Sequence, residues 1–165
     1  MKHLTIIRHA KSDWNFPEIE DIERPLNARG KKSIKLIGNF LKDKNIIPDL
    51  IISSPAFRAK KTAKGTGKIL KYDITYIKTE PVIYYGSVED IIVLLLKIDN
   101  TFKNVFLFGH EPILSSLIYT LTKKSLDKFP TGGVCRIAFN IQQWKDLKLG
   151  HCELMVFPKQ LIDFV

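Results

Sequence analysis

Cysteine, histidine and long apolar runs are all scarce in this sequence. Only two cysteines occur, Cys135 and Cys152, and two buried thiols in a reducing compartment suit them better than a disulfide. No segment approaches the roughly 20 apolar residues that a membrane span requires. The first residues turn polar too soon for a secretory signal. We therefore expect a soluble, cytoplasmic protein that makes no use of a membrane.

The scarce histidines also argue against a metal centre. The sequence has four of them, and none of their spacings matches the HxH, HxxxH or HExxH patterns of metal ligands. Nearby carboxylates are not arranged as ligands either. We expect no metal and no cofactor.

The residues that are abundant are basic. The chain has 26 lysines and arginines against 17 aspartates and glutamates, a net charge of +9. Such an excess either solvates the surface or attracts an anionic partner such as a phosphorylated substrate. Nucleic acid is not the expected partner, because we find no recognition-helix motif and no interleaving of aromatic and basic residues.

Apolar periodicity predicts one α/β domain over residues 1–165. The predicted strands cover 2–8, 50–52, 74–78, 104–108, 134–141 and 152–157. The predicted helices cover 28–44, 56–70, 88–98 and 112–122, and 80–86 is predicted as a loop. Strands that alternate with helices predict a three-layer α/β/α fold around a mainly parallel, mixed sheet. The last two strands should form a hairpin at its edge.

Arginine and histidine side chains lie at three predicted strand ends. Arg8 and His9 leave the first strand, Arg58 opens the helix after the second, and His110 leaves the strand at 104–108. Ligands of parallel α/β sheets bind beyond the carboxyl ends of the strands. Arginine presents a rigid fork of donors that matches phosphate oxygens. A lone histidine or arginine is more often a packing or surface residue, but four at three strand ends favour an anion site, provided that the strands are neighbours.

Several segments resemble the histidine phosphatase, or phosphoglycerate mutase-like, superfamily, and within it the SixA-type phosphohistidine phosphatases. The segments that carry this resemblance are 8–12 (RHAKS), 24–30 (RPLNARG), 53–59 (SSPAFRA), 108–112 (FGHEP) and the closing strands within 132–158. Ala10 stands where the fuller family motif has glycine, a departure that is familiar in the SixA-like subgroup. The resemblance implies a phosphoglycerate mutase-like fold and a phosphatase that works without metal.

The same resemblance implies a role for each residue at the strand ends. His9 would be the nucleophile that accepts the phosphoryl group, and Arg8 and Arg58 would clamp its oxygens. His110 would donate a hydrogen bond to the developing charge. Arg24 resembles a substrate-binding position near the mouth of the site.

The general acid is not settled by the sequence. Mutase-like relatives use a carboxylate to protonate a leaving alkoxide, and nothing in the sequence separates the four candidates, which are Asp13, Asp21, Glu80 and Glu111. A site without a strong acid suits the cleavage of P–N bonds, because an imidazole with a pKa near 6.5 leaves easily.

Three functions stay open at this point. The first is removal of phosphate from phosphohistidine on a phosphotransfer protein. The second is hydrolysis of a small phosphomonoester, such as a sugar phosphate or nucleotide, by the same family of site. The third is a phosphoprotein-binding module without catalysis, against which the presence of both His9 and His110 argues.

Overall fold

Strands and helices alternate along the chain. The computed structural model describes residues 1–162, so 163–165, the end of the predicted domain, lie outside the described residues. The strands are β1 (Lys2–Arg8), β2 (Leu50–Ser53), β3 (Lys78–Thr79), β4 (Asn104–Gly109), β5 (Val134–Phe139) and β6 (His151–Val156). The helices are α1 (Ala28–Asp43), α2 (Phe57–Ile69), α3 (Val82–Tyr85), α4 (Val88–Leu96), α5 (Ile113–Thr122) and α6 (Pro158–Leu161). No helix in the described range is both long and apolar enough to cross a membrane.

The six strands form one sheet in the order β3-β2-β4-β1-β5-β6. The pairings of β1 with β4, β2 with β4 and β2 with β3 are parallel, whereas β5 runs antiparallel to β1 and to β6. The prediction of a mainly parallel, mixed sheet that ends in a hairpin is confirmed. The strands β2, β4 and β1, whose ends carry the predicted site residues, are adjacent in the sheet.

Successive residues of the central strands are buried on opposite faces of the sheet. In β4, Val105 and Leu107 pack with α4 and α5, whereas Phe106 and Phe108 pack with α1 and α2. All four side chains have zero exposure. Burial on both faces is typical of parallel strands covered by helices, and it confirms the three-layer α/β/α prediction.

Two local predictions are wrong. The segment predicted as a strand at 74–78 begins as a 3-10 helix, Ile74–Tyr76, because the Asp73 carboxylate accepts a hydrogen bond from the Thr75 N–H at 3.0 Å and turns the chain. Only Lys78–Thr79 pairs with the sheet. The loop predicted at 80–86 contains the helix α3. The other elements lie within a few residues of their predicted bounds.

The start of α1 is locked against the segment that follows His9. Asn27 caps the helix, since its side-chain oxygen accepts a hydrogen bond from Gly30 N–H at 2.9 Å, and its own N–H donates to the Lys11 carbonyl at 3.0 Å. A Cβ on Gly30 would lie 2.2 Å from the Lys11 carbonyl oxygen. Glycine at this position therefore lets the helix approach the backbone beside the strand end.

We expect Gly30→Ala to destabilise the fold by about 1–3 kcal/mol, because the clash is with backbone that cannot rotate away. Lys31→Ala, at the exposed neighbouring position, should change the free energy of unfolding by less than about 0.5 kcal/mol. Urea denaturation of both variants measures the difference. Equal stability of the two would contradict the close packing of α1 on Lys11.

Candidate active site

The sheet brings the predicted strand ends to a common edge. Arg8 lies opposite Gly109 in the register of β1 and β4, and Ser53 lies opposite Phe108 in the register of β2 and β4. The pairing continues one residue further, since the His9 N–H donates to the Gly109 carbonyl at 3.0 Å. The condition that the sequence left open, that these strands are neighbours, is therefore met. We call Arg8, His9, Arg58 and His110 the four-residue cluster.

His9 is held as a neutral imidazole with one defined tautomer. Its ring is buried, and Nδ1 lies 2.7 Å from the carbonyl oxygen of Ala10. Because a carbonyl only accepts hydrogen bonds, Nδ1 carries the proton and Nε2 keeps its lone pair. Burial, together with the nearby charges of His110, Arg58 and Arg8, lowers the pKa of His9 to about 3, although the bond to Ala10 opposes this shift.

Arg58 points directly at this lone pair. Its Nε lies 3.4 Å from Nε2 of His9, and its Nη1 donates to the Asp21 carbonyl oxygen at 2.7 Å. Thr62, one turn further along α2, connects Arg58 to the first strand end. Its hydroxyl donates to the Arg58 carbonyl at 2.7 Å and accepts from the Ala10 N–H at 3.0 Å. The helix and the strand end are thus fixed to each other beside the His9 ring.

His110 stands across from His9. The two ring centroids are 5.2 Å apart, and Nε2 of His110 lies 2.7 Å from the Ser54 hydroxyl. The Tyr84 ring packs edge-on against His110, with centroids 5.4 Å apart. Burial and the charge of Arg58 lower the pKa of His110 to about 4. Both imidazoles are therefore neutral at physiological pH.

Unpaired buried donors concentrate at this site. Within residues 1–162, five buried side-chain polar atoms have no hydrogen-bond partner, and four of them belong to Arg8, Arg24 and His110. Buried polar groups are normally paired, so a cluster of exceptions calls for an explanation. Arginine nitrogens can only donate, and the Nδ1 of His110 can do so as well. Their common complement is an anion with several oxygens.

Asp21 neutralises part of this positive charge. Its carboxylate accepts hydrogen bonds from Arg58 Nη2 at 3.0 Å, from Arg24 Nη2 at 3.0 Å and from the Tyr84 hydroxyl at 2.7 Å. Burial alone would raise the pKa of Asp21, but the hydrogen bonds and charges of Tyr84, Arg58 and Arg24 outweigh it and lower the pKa. Arg24, predicted near the mouth of the site, is linked to the cluster through Asp21. Its Cζ atom lies 3.5 Å from the centroid of the Trp14 ring.

The four carboxylates that sequence offered as general acids have different surroundings. Asp21 stays ionised, and an ionised carboxylate cannot donate a proton. Asp13 accepts from the Asn15 N–H at 2.9 Å within an exposed turn. The Glu111 carboxylate accepts hydrogen bonds from the backbone N–H and the hydroxyl of Ser115, near the start of α5.

Glu80 is the remaining carboxylate. Its N–H donates to the Ser53 carbonyl at 2.8 Å, which places it at the same sheet edge as the cluster. Its side chain is half-buried and makes no hydrogen bond to another residue of the described chain. In that same part of the chain, no group of three or more histidine, cysteine or acidic side chains is placed to hold a metal ion.

Three supporting residues were given no role by the sequence analysis. Ser54, Thr62 and Tyr84 contact the cluster, and of these only Ser54 lies within a segment that carries the family resemblance. Thr62 could have been found, because it lies four residues after Arg58 on a predicted helix and so shares its face. Tyr84 could not, because its segment was predicted as a loop.

The lowered pKa values of His9 and His110 allow this geometry to be tested by titration. We expect both rings to stay predominantly neutral at pH 6 and above, and His9 to take up its proton at a lower pH than His110. The unfolded chain binds these protons near pH 6.5, so the folded state should lose stability as the pH falls below that value. NMR titration of ring-labelled histidine, assigned with His9→Gln, measures both rings. A His9 ring that titrates above pH 6 would contradict the assignment.

Comparison with known proteins places the chain in a family. Residues 4–90 match the model of the histidine phosphatase superfamily (branch 1). The uncharacterized phosphatase PhoE of Bacillus subtilis is 31% identical over 91 residues, which are 54% of this chain and 46% of PhoE. Phosphoglycerate mutase 1 of Saccharomyces cerevisiae is 32% identical over 65 residues, 38% of this chain and 26% of the mutase. The chain thus spans less than half of the length of the curated relatives that it matches.

Solved structures share the whole fold. The protein histidine phosphatase SixA in complex with tungstate superposes with a TM-score of 0.85 at 21% identity, over 96% of this chain and 99% of SixA. The SixA-like protein of Agrobacterium tumefaciens gives a TM-score of 0.82 at 23% identity, over 95% and 98% of the two chains. At these identities the likeness establishes the fold, and the sequence match establishes the family: this chain belongs to the histidine phosphatase superfamily (branch 1).

Proposed function

We propose that this chain is a phosphatase that removes phosphate from phosphohistidine on a phosphotransfer protein, with His9 as the nucleophile. One observation carries the proposal. The His9 ring is neutral, its Nδ1 proton is held by the Ala10 carbonyl, and its Nε2 lone pair faces the Arg58 guanidinium at 3.4 Å. A nitrogen lone pair beside a fixed cation is what attack on a phosphoryl group requires.

The unpaired donors of the site would bind the oxygens of the transferred group. Nε of Arg8 and Nδ1 of His110 have no partner among the described residues, and Nε of Arg58 already lies 3.4 Å from Nε2 of His9, the attacking nitrogen. Phosphoryl transfer depends mainly on positioning and on the stabilisation of the equatorial oxygens. We propose that these three side chains supply that stabilisation and that no metal takes part.

The first step transfers the phosphoryl group between two nitrogens. Nε2 of His9 forms a bond to phosphorus as the P–N bond of the substrate breaks, and the electron pair of that bond leaves with the substrate imidazole. Protonation of the other ring nitrogen beforehand makes the leaving group a neutral imidazole. No carboxylic acid is needed, which agrees with the ionised state of Asp21.

The second step frees the enzyme. The oxygen of a water molecule attacks phosphorus, the bond to Nε2 of His9 breaks, and its electron pair returns to the ring. The water proton passes to the phosphate oxygens, so inorganic phosphate leaves and neutral His9 is restored. The Ala10 carbonyl keeps Nδ1 protonated throughout.

The comparisons support this choice of substrate. The structures that cover almost all of this chain at a TM-score of 0.82 or more include a protein histidine phosphatase, SixA, with tungstate bound. Tungstate is a tetrahedral oxyanion of the same shape as phosphate. That substrate and that ligand belong to SixA, and we carry them to this chain as part of the proposal.

A second candidate function is hydrolysis of a small phosphomonoester. The observation in its favour is Glu80, which lies half-buried at the sheet edge of the cluster with no partner in the described chain. Such a carboxylate could protonate a leaving alkoxide, which departs far less readily than an imidazole. The partial match to phosphoglycerate mutase 1 is consistent with this alternative.

The two functions differ in the substrate that is cleaved. We expect release of phosphate from a phosphohistidine-carrying domain to be much faster than hydrolysis of p-nitrophenyl phosphate, without added metal. His9→Ala should lower kcat by about a thousandfold or more on both substrates, because the variant removes the nucleophile.

Glu80→Gln is the matched variant that separates the candidates. Phosphohistidine cleavage should keep its rate within about twofold, whereas an esterase that depends on Glu80 would lose about 10²-fold or more on a sugar phosphate, whose alkoxide must be protonated to leave. Rapid ester hydrolysis without any action on phosphohistidine would replace the first function with the second. Full activity of His9→Ala on either substrate would overturn both.

A further inference from the structure

A large basic cavity lies beside the four-residue cluster. Its volume is about 770 Å³, and it opens at the edge of the sheet where β1 ends and β5 begins. Six of its lining residues are cationic, and no lining residue in the described range is acidic. These six, which we call the basic cavity residues, are Arg8, Lys11, Arg29, Lys32, Lys128 and Lys159.

Arg8 belongs both to this cavity and to the cluster. It immediately precedes His9, and its Nη1 donates to the Phe129 carbonyl at 3.0 Å in the loop before β5. Lys128, Pro130 and Thr131 of the same loop line the cavity. A ligand with its phosphate at His9 would therefore lie next to Arg8, the residue that the cluster and the cavity share.

The cationic side chains of the cavity have no close ion-pair partner in the described part of the chain. The ion pairs in residues 1–162 involve His3, Arg24, Arg58 and Arg136, and none involves a basic cavity residue. Like charges held together without counter-ions repel one another and produce a strong local positive potential. An anionic partner would relieve that repulsion.

The form of the cavity favours a protein segment over a second small phosphate. Apart from Arg8, the basic cavity residues are exposed, and they extend from separate parts of the chain. Flexible lysine tips provide a diffuse field, whereas a specific phosphate site needs buried donors in fixed positions. Leu36, Phe157 and Ile162 add apolar surface to the lining. A segment with both carboxylates and apolar side chains complements this mixture.

We propose that the basic cavity is a docking site for an acidic segment of the protein that carries the phosphohistidine. The inference rests on the proposed function, since it names the chemistry of that substrate next to its phosphorylated residue. Docking would raise the encounter rate and orient the phosphohistidine toward His9 without touching the reacting atoms.

A triple variant tests the proposal. Lys32→Gln, Lys128→Gln and Lys159→Gln together remove three charges from the cavity. The control variant Lys31→Gln, Lys61→Gln and Lys68→Gln removes three exposed charges from a separate groove between α1 and α2. With a phosphohistidine domain whose histidine is flanked by acidic residues, we expect kcat/KM to fall about tenfold or more in the cavity variant at low salt, and about twofold or less in the control.

Two further readouts separate docking from a general loss of charge or fold. Hydrolysis of p-nitrophenyl phosphate should stay within about twofold of wild type in both variants, because this ester carries no acidic segment that could dock on the three substituted lysines. A glutamate decapeptide should inhibit phosphohistidine cleavage by the wild type and the control but not by the cavity variant.

The failures are distinguishable. Equal kcat/KM for the two variants, with phosphohistidine still cleaved, would overturn the docking site and leave the proposed function intact. An equal loss on p-nitrophenyl phosphate in the cavity variant would make the cavity part of the catalytic pocket, which also overturns docking. A wild type that leaves the phosphohistidine domain untouched would overturn the proposed function, and the docking site with it.

Discussion

The hydrogen bond between Nδ1 of His9 and the Ala10 carbonyl, 2.7 Å long and buried, sets the chemistry of the whole site. It fixes the proton on one side of the ring and leaves the lone pair on the other. Burial prevents a second proton from binding. An imidazole in this state keeps a free lone pair at physiological pH, which is the property that a nucleophile needs. The surrounding structure, from the register of β1 and β4 to the link through Thr62, serves to aim that nitrogen at the Arg58 guanidinium.

Positive charge at the site is balanced with an internal carboxylate. Asp21 accepts hydrogen bonds from Arg58 and Arg24, so neither guanidinium is buried without a counter-ion. A charge left unpaired in a dry site is costly, and Asp21 reduces that cost. The nitrogens that Asp21 does not reach, on Arg8, Arg24 and His110, are buried and have no hydrogen-bond partner in the described chain. The same arrangement that permits two buried arginines therefore leaves hydrogen-bond donors without a partner in the described chain.

The sequence predicted those features of the fold that depend on a single physical rule. The central strands are apolar on both faces, so their existence and layering could be predicted, and the residues at their carboxyl ends were then placed together by the geometry of parallel sheets. Thr62 could have been found from its spacing to Arg58 on one helix, whereas the contacts of Ser54 and Tyr84 could not be predicted, because they depend on side-chain positions across different elements. The strand prediction at 74–78 was wrong for another reason. The hydrogen bond from the Thr75 N–H to the Asp73 carboxylate outweighed the β-propensity of the residues that follow Asp73.

The central claim is that phosphate passes through Nε2 of His9. Rapid quench of the enzyme with a phosphohistidine donor into alkaline denaturant, followed by ³¹P NMR and peptide mass spectrometry, locates the covalent phosphate on the chain. The account predicts phosphate on His9 alone, bonded to Nε2, because the Ala10 carbonyl holds Nδ1. Phosphate on Nδ1 of His9, on His110 or on a carboxylate would contradict it.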